Sequence, residues 1–431
     1  LWILGLRIAD WRSPWRIAHW NWKSKWYFYD MIRLIEAKNY RSLKYISQPL
    51  GDFHVLVGAN ATGKTTFLDV VSFIADLVGN GVDYAIGQRT QNYMDLTFGG
   101  KGGDIELAIE LEVPEELRKD NFDRIRYEVK VGILQDSQEH GIIGEKVILI
   151  VEQDNAANNS VFNSRVSSNS SYLVISKVSS GNDHYAIEIK GKRWPTSYKL
   201  GLKKSALGNM PPDESKYPIS IWLKDLLTDG IQLFILDSQN IRQASPPGKG
   251  IKFKTDGSNL PWVIEDLKKR DMEAYRNWVE HVRTALPDIQ DIITIERQDD
   301  RHRYLKIIYD NGMEVPSWMV SDGTLRLLAL TLPAYLRDFE GVFLIEEPEN
   351  GIHPQAIETV FQSLSSVYNA QILLATHSPV ILSMVEPKDV LCFSKTTDGV
   401  TEIVNGNAHP MLKDWHGTPN LSVLFASGIL S

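Results

Sequence analysis

Two hydrophobic rhythms divide the chain. From Asp104 onward apolar residues fall at every second position: Ile105, Leu107, Ile109, Leu111 and Val113 alternate with Glu106, Glu110 and Glu112. Ile125, Tyr127, Val129, Val131 and Ile133 repeat the pattern, as do residues 147–151, 172–178 and 185–189. A period of two places apolar side chains on one face and polar ones on the other, the mark of half-buried antiparallel strands. A β-rich arm is therefore predicted over residues 104–230.

On either side the rhythm changes to short unbroken apolar runs followed by helical spacing. Residues 31–49 predict two strands around a polar turn, 39–42. A strand over residues 54–57 precedes Phe67, Leu68, Val70, Val71 and Ile74 at helix spacing. The runs 231–236 (IQLFIL), 341–345 (GVFLI) and 372–375 are apolar throughout, as strands buried on both faces of a parallel sheet are. Helices are predicted after Val320, where leucines dominate, and from Pro354, which suits a first turn. Asn311-Gly312 marks a tight hairpin turn. No heptad run lies between the first of these helices and Ser321, which excludes a long coiled coil. The pattern predicts an α/β fold: a head formed by residues 31–103 and 231–431, interrupted by the arm.

Two stretches fit neither rhythm. Residues 1–30 hold half of the chain's 12 tryptophans among scattered Arg and Lys, with no clean helical face. Met31 directly precedes the first strand, so 1–30 is expected to be a poorly packed translated leader rather than a membrane-interface segment. Residues 155–171 (NAANNSVFNSRVSSNSS) read as an exposed polar loop.

At 431 residues the chain exceeds one ordinary core, so two lobes are expected. A net charge of −8 argues against indiscriminate coating of nucleic acid, although a local basic groove is compatible with it. The lone cysteine, Cys392, sits in an apolar strand-like run and suits a reducing cytosol. No run approaches the roughly 18 apolar residues of a membrane span.

The chemistry concentrates where strands end. Residues 58–65 (GANATGKT) follow a strand and open a helix, the setting in which glycines turn backbone N–H groups around a polyphosphate. Lys64 would reach the β- and γ-phosphates, and the hydroxyl of Thr65 would hold Mg²⁺. Arg41 and Ser42, in the first turn, either contact nucleotide or close the hairpin. Ser321 and Asp322 cap the leucine-rich helix, and a capped core helix alone would explain them. The strand 341–345 ends in Glu346-Glu347, and two carboxylates at a buried strand end demand a cation or a task. Glu346 would hold the metal and Glu347 would polarise an attacking water. His377, at the end of the strand 372–375, is placed to contact a γ-phosphate.

The order of these motifs, with Ser321-Asp-Gly-Thr, Ile-Glu-Glu-Pro-Glu-Asn-Gly-Ile-His-Pro and Ala-Thr-His-Ser-Pro, resembles the ABC-type ATPase heads of the SMC, RecF and OLD group, and in particular bacterial "AAA family ATPase" proteins. The resemblance implies a P-loop NTPase head with a mixed, mostly parallel sheet and a β-rich arm inserted between Walker A and the signature motif. Gly58, Ala59, Asn60, Ala61, Thr62, Gly63, Lys64, Thr65 and Thr66 correspond to Walker A, and Ser321 to Thr324, including Gly323, to the signature that completes a partner's ATP site. Glu346 takes the Walker B metal position, Glu347 the catalytic base, residues 350–353 the D-loop and His377 the switch histidine. It implies an ATPase that binds ATP and Mg²⁺, closes as a homodimer around two ATP, and acts in the cytoplasm on a separate effector protein or DNA, as relatives do in anti-phage defence. A RecF-like DNA-repair clamp is the alternative.

Three departures stand out. Glu346 is one methylene longer than the usual aspartate, and the Q-loop glutamine has only Gln88 and Gln91 as candidates. The stretch after His377 is too short for the metal-dependent Toprim nuclease domain of OLD proteins. A transporter subunit is disfavoured by Glu-Pro-Glu-Asn in place of Glu-Pro-Thr-Ser.

Overall fold

The computed structural model of the chain describes residues 32–118, 121–134, 139–151, 171–179, 182–188 and 196–410, with Leu421 and Val423. The Trp-rich stretch 1–30, the polar loop up to residue 170 and nearly all of the tail 415–430 lie outside the described residues. The chain enters on β1 (Ile32–Tyr40) and β2 (Leu43–Pro49), then β3 (Phe53–Gly58), α1 (Lys64–Asn80) and α2 (Val82–Gly87). The alternating segments form β4 (Ile105–Glu112), β5 (Arg124–Ile133), β6 (His140–Ile150), β7 (Ser171–Val178), β8 (Asp183–Tyr185) and β9 (Thr196–Tyr198).

These six strands form the antiparallel β-rich region that the alternation predicts. They extend the sheet begun by β1 and β2, in the order β2-β1-β4-β5-β6-β7-β8-β9. Ile35 pairs with Ile109 and Ala37 with Leu107, antiparallel. The cause is register: this pairing puts the apolar residues of β4 and β5 on the face that buries Ile35 and Ala37, and that whole face packs in one core with Phe67, Phe73 and Leu77 of α1. The far end of the predicted arm also returns to α1. Gly208 passes Val78 so closely that a Cβ there would lie 1.9 Å from the Val78 carbonyl oxygen. Nearby α3 (Pro218–Asp225) starts beneath Glu188, whose two oxygens accept from Ile219 N (2.7 Å) and Ser220 N (2.8 Å). The sequence boundaries near 103 and 230 thus fall inside a continuous core.

The rest of the chain builds the second sheet and its cover: β10 (Ile231–Phe234), α4 (Ser238–Arg242), α5 (Leu260–Arg270), α6 (Met272–Ala285), β11 (Ile289–Glu296), β12 (Arg303–Tyr309) and β13 (Glu314–Pro316), then α7 (Asp322–Thr331), β14 (Gly341–Glu346), α8 (Pro354–Ser365), β15 (Ala370–Ala375), α9 (Pro379–Leu382), β16 (Val390–Lys395) and β17 (Thr401–Asn405). The order is β10-β14-β15-β3-β16-β17, with every neighbour parallel except β17. The unbroken apolar runs have their reason here, because both faces are covered. Leu344 and Leu373 share the core of α1, while Phe343 and Leu374 pack with Trp278 of α6 and Leu328 of α7. Gln371 of β15 ties the two sheets together: its amide exchanges hydrogen bonds with the backbone of Ile32 (3.1 and 2.9 Å) and donates to Gly51 O (2.7 Å). Cys392 is buried in β16, and burial pushes its thiol up to about 12.

Among the described residues no helix is long and apolar enough to cross a membrane.

Candidate nucleotide site

The loop between β3 and α1 can be built only with glycine at its two ends. Gly58 has φ +153°, and a Cβ there would lie 2.3 Å from Phe393 O; Gly63 has φ +108°, and its Cβ would lie 2.5 Å from Thr401 Oγ1. Lys64, at the start of α1, curls back over this turn and donates from Nζ to Gly58 O (2.8 Å) and Ala59 O (3.0 Å). Thr62 Oγ1 donates to Ala59 O (2.9 Å) and Thr401 Oγ1 to Thr62 O (2.8 Å), so the loop is braced from inside and from β17. Burial lowers the pKa of Lys64, against the opposing pull of Glu347 and Glu346.

Parallel strands with a common direction deliver their last residues to one edge. Glu346 closes β14, and its Oε2 accepts from Thr65 Oγ1 at 2.8 Å. Glu347 follows with φ +46°, a left-handed backbone that few non-glycine residues adopt, pinned by its N–H to Ala375 O (2.8 Å). Its carboxylate accepts from Asn350 Nδ2, and Oε1 lies 3.8 Å from His377 Nε2. Burial lowers the pKa of His377, the nearby Lys64 lowers it further, and Glu347 and Glu349 oppose both. Glu349 anchors the next strand end: Oε1 accepts from Thr376 Oγ1 (2.6 Å) and His377 N (3.0 Å).

The result is one cleft of about 330 Å³, walled by Arg41, Lys64, Thr65, Glu346, Glu347 and His377, with Asn60, Ala61, Gly63 and Thr66 at the loop. That volume suits a small-molecule ligand. Arg41 closes the hairpin and also borders the cleft. It sits at the tip of the β1–β2 hairpin with φ +49° and its N–H on Leu96 O (2.8 Å), and its side chain lines the cleft. Thr65 Oγ1 and Glu346 Oε2 form a pair of hard oxygen donors beside the loop, a set that fits Mg²⁺.

Seven sequence candidates do not line the cleft: Gly58, Ala59 and Thr62 belong to the loop itself, and four others lie elsewhere. Gln88 and Gln91 are exposed and do not line it. Ser321 and Gly323 are also outside it. Ser321 is the N-cap of α7, its Oγ accepting from Thr324 N (3.2 Å), and Gly323 packs so tightly on the D-loop that a Cβ would lie 2.6 Å from Gly351 O. Within one chain residues 321–324 therefore serve the helix start and pack on the loop after Glu347. Thr401 and Glu349 were missed as site residues. Thr401 opens an ordinary hairpin strand, and nothing in its neighbourhood points to the phosphate loop; Glu349 sat in plain view, two residues beyond Glu347.

Residues 53–383 match the family described as "AAA domain, putative AbiEii toxin, Type IV TA system", a span of well over half of the chain. The chain belongs to this AAA family. The fold of the AAA chain is similar to that of an Smc head. It superposes on the crystal structure of an Smc head bound to the C-winged helix domain of ScpA with a TM-score of 0.50 at 15% identity, covering 87% of this chain and 97% of that one. An Smc head with an extended coiled coil, bound to the C-terminal domain of ScpA derived from Pyrococcus furiosus, gives 0.49 at 14% identity, over 87% and 96%.

Proposed function

We propose that the chain binds ATP in this cleft, hydrolyses it with Glu347 as general base, and works as a nucleotide-gated dimer. The observation that carries the reading is the meeting of Lys64, Thr65, Glu346, Glu347 and His377 on one cleft, from three strand ends of one parallel sheet. In this reading backbone N–H groups of residues 58–66 and the start of α1 receive the polyphosphate, and Lys64 Nζ exchanges its two loop carbonyls for phosphate oxygens. Thr65 and Glu346 would hold Mg²⁺, which when bound neutralises charge on the phosphates. Glu347 takes the proton of the attacking water, and Asn350 and the Ala375 carbonyl fix its orientation. His377 offers a ring N–H to the terminal phosphate.

Ser321, exposed at the N-terminus of α7 and outside its own chain's cleft, is assigned to the nucleotide of a second copy, with Gly323 beside it. Closure and release of the two heads would then act on a separate effector protein, or on DNA, in the bacterial cytoplasm, with anti-phage defence as the setting. One finding supports a protein partner: the similar Smc head is bound to a domain of ScpA.

The test is calorimetric titration with ATP and Mg²⁺ alongside phosphate release. The wild-type chain is expected to bind and turn over, and Lys64→Ala to abolish binding. A folded wild-type chain that neither binds ATP nor releases phosphate overturns the proposal.

A further inference from the structure

Asp69 and Arg89 have no part in the chemistry above, yet they join the cleft through one shared carboxylate. Asp69 lies on the second turn of α1, and its oxygens collect three donors from three places in the chain. Tyr40 OH donates to Oδ2 (2.7 Å), Arg41 Nη1 lies 3.0 Å from the same oxygen, and Arg89 Nε donates to Oδ1 (2.7 Å). The two arginines are held very differently. The side chain of Arg89 is 7% exposed, bonds also to Asp76 Oδ2 (2.8 Å) and Ala85 O (2.7 Å), and lies over the Phe73 ring at 5.1 Å. It is a fixed internal cation. Arg41 has a side chain 30% exposed, on the cleft wall, and a left-handed backbone that persists only where surroundings hold it.

We propose that Asp69 is the positioning residue for Arg41, holding its guanidinium on the wall of the cleft, where it meets phosphate oxygens of the bound nucleotide. Arg89 makes this arrangement reversible. A guanidinium drawn from Asp69 toward phosphate would otherwise leave a carboxylate, 15% exposed, without a counter-charge, which is costly. With Arg89 and Tyr40 still bonded to it, Asp69 can share or release Arg41. A long side chain pre-set in this way also loses less rotamer freedom when the nucleotide arrives.

The inference rests on the nucleotide reading, and a double-mutant cycle separates the two. MgATP is titrated into wild type, Asp69→Asn, Arg41→Ala and the double variant, with melting temperatures measured in parallel. Asp69→Asn is expected to weaken MgATP binding about tenfold, a coupling of ordinary size for groups in contact, and to raise KM with little change in kcat. In the Arg41→Ala background the same substitution is expected to add nothing. Should Asp69→Asn fail to fold, Asp69→Glu, which keeps the charge and displaces it by one methylene, is measured in both backgrounds with the same expectation. Equal losses in the two backgrounds, or no loss in either while wild type binds MgATP, overturn the positioning role and leave the nucleotide site intact. Absence of MgATP binding by the wild type overturns both.

Discussion

In the antiparallel sheet Glu145 is fully buried, and its carboxylate accepts from Tyr127 OH (3.0 Å), Ser205 Oγ (2.7 Å), Ala206 N (2.6 Å) and Leu207 N (3.0 Å). At the end of β14 in the parallel sheet, the side chain of Glu347 is 44% exposed on a cleft and accepts one side-chain hydrogen bond, from Asn350. Glu145 spends its lone pairs on stitching the segment 205–207 to β6, so the acid is scaffold. Glu347 keeps an oxygen turned toward the cleft and is restrained mainly through its backbone. Burial and the tally of partners thus divide these two carboxylates in the same direction.

The sharpest way to break this contrast is to neutralise each acid in turn. Glu347→Gln is expected to lower phosphate release by about 10²–10⁴-fold, the usual worth of a positioned general base, while ATP still binds and the protein accumulates as a dimer. Its melting temperature should stay near that of wild type, because a half-exposed side chain has little packing to lose. Glu145→Ala should do the reverse. It strands two backbone N–H groups and two hydroxyls in a dry core, at a cost of about 3 kcal/mol or more in denaturant unfolding, with turnover per folded molecule unchanged. Wild-type turnover in Glu347→Gln, or wild-type stability in Glu145→Ala, would remove the distinction.

A smaller effect compares two glycines. Gly63 and Gly250 both have positive φ, yet a Cβ at Gly63 would strike Thr401 and Ser42 while one at Gly250 meets open space. Gly250→Ala should cost about 1 kcal/mol of stability from backbone strain alone and leave ATP affinity untouched. Gly63→Ala must also displace the bracing of the loop, and calorimetry should show ATP affinity falling with stability. Equal affinities for the two variants would mean that the hydroxyls around Gly63 do not shape the loop.

The same contrast explains what the sequence disclosed. The phosphate loop, Glu346-Glu347 and His377 were legible because each sits where an all-apolar strand stops, and parallel strands stop at one edge. The alternation of β4 to β7 was equally plain, but alternation fixes which face a strand buries and says nothing about its neighbour. β4 pairs with β1 across the whole of α1 and α2, so alternation alone does not reveal that the antiparallel strands continue the sheet of β1 and β2. Thr401, Asp69 and Arg89 were invisible for a related reason. Each makes contacts across the fold, with no local pattern to mark it.

The smallest effect also turns on two buried groups, one in each sheet, whose titrations tilt stability in opposite directions. His54 of β3 is 5% exposed and its Nε2 accepts from Gly51 N (2.7 Å), so the fold uses the neutral ring; burial lowers its pKa below the ordinary 6.5. Below pH 6.5 the unfolded chain takes up a proton that the folded chain refuses, and stability falls as pH falls. Burial instead raises the pKa of Glu145 above 4.5, outweighing the hydrogen bonds that lower it. There the folded chain holds the extra proton, so this contribution weakens as pH rises through the window above 4.5. Denaturant unfolding at pH 5.5 and 7.5 reads the difference. His54→Asn should flatten the acid-side loss by at most about 1.4 kcal/mol per pH unit, the limit for one proton. A slope identical to wild type would show that His54 takes up its proton without unfolding, and that the Gly51 N–H does not hold the ring neutral.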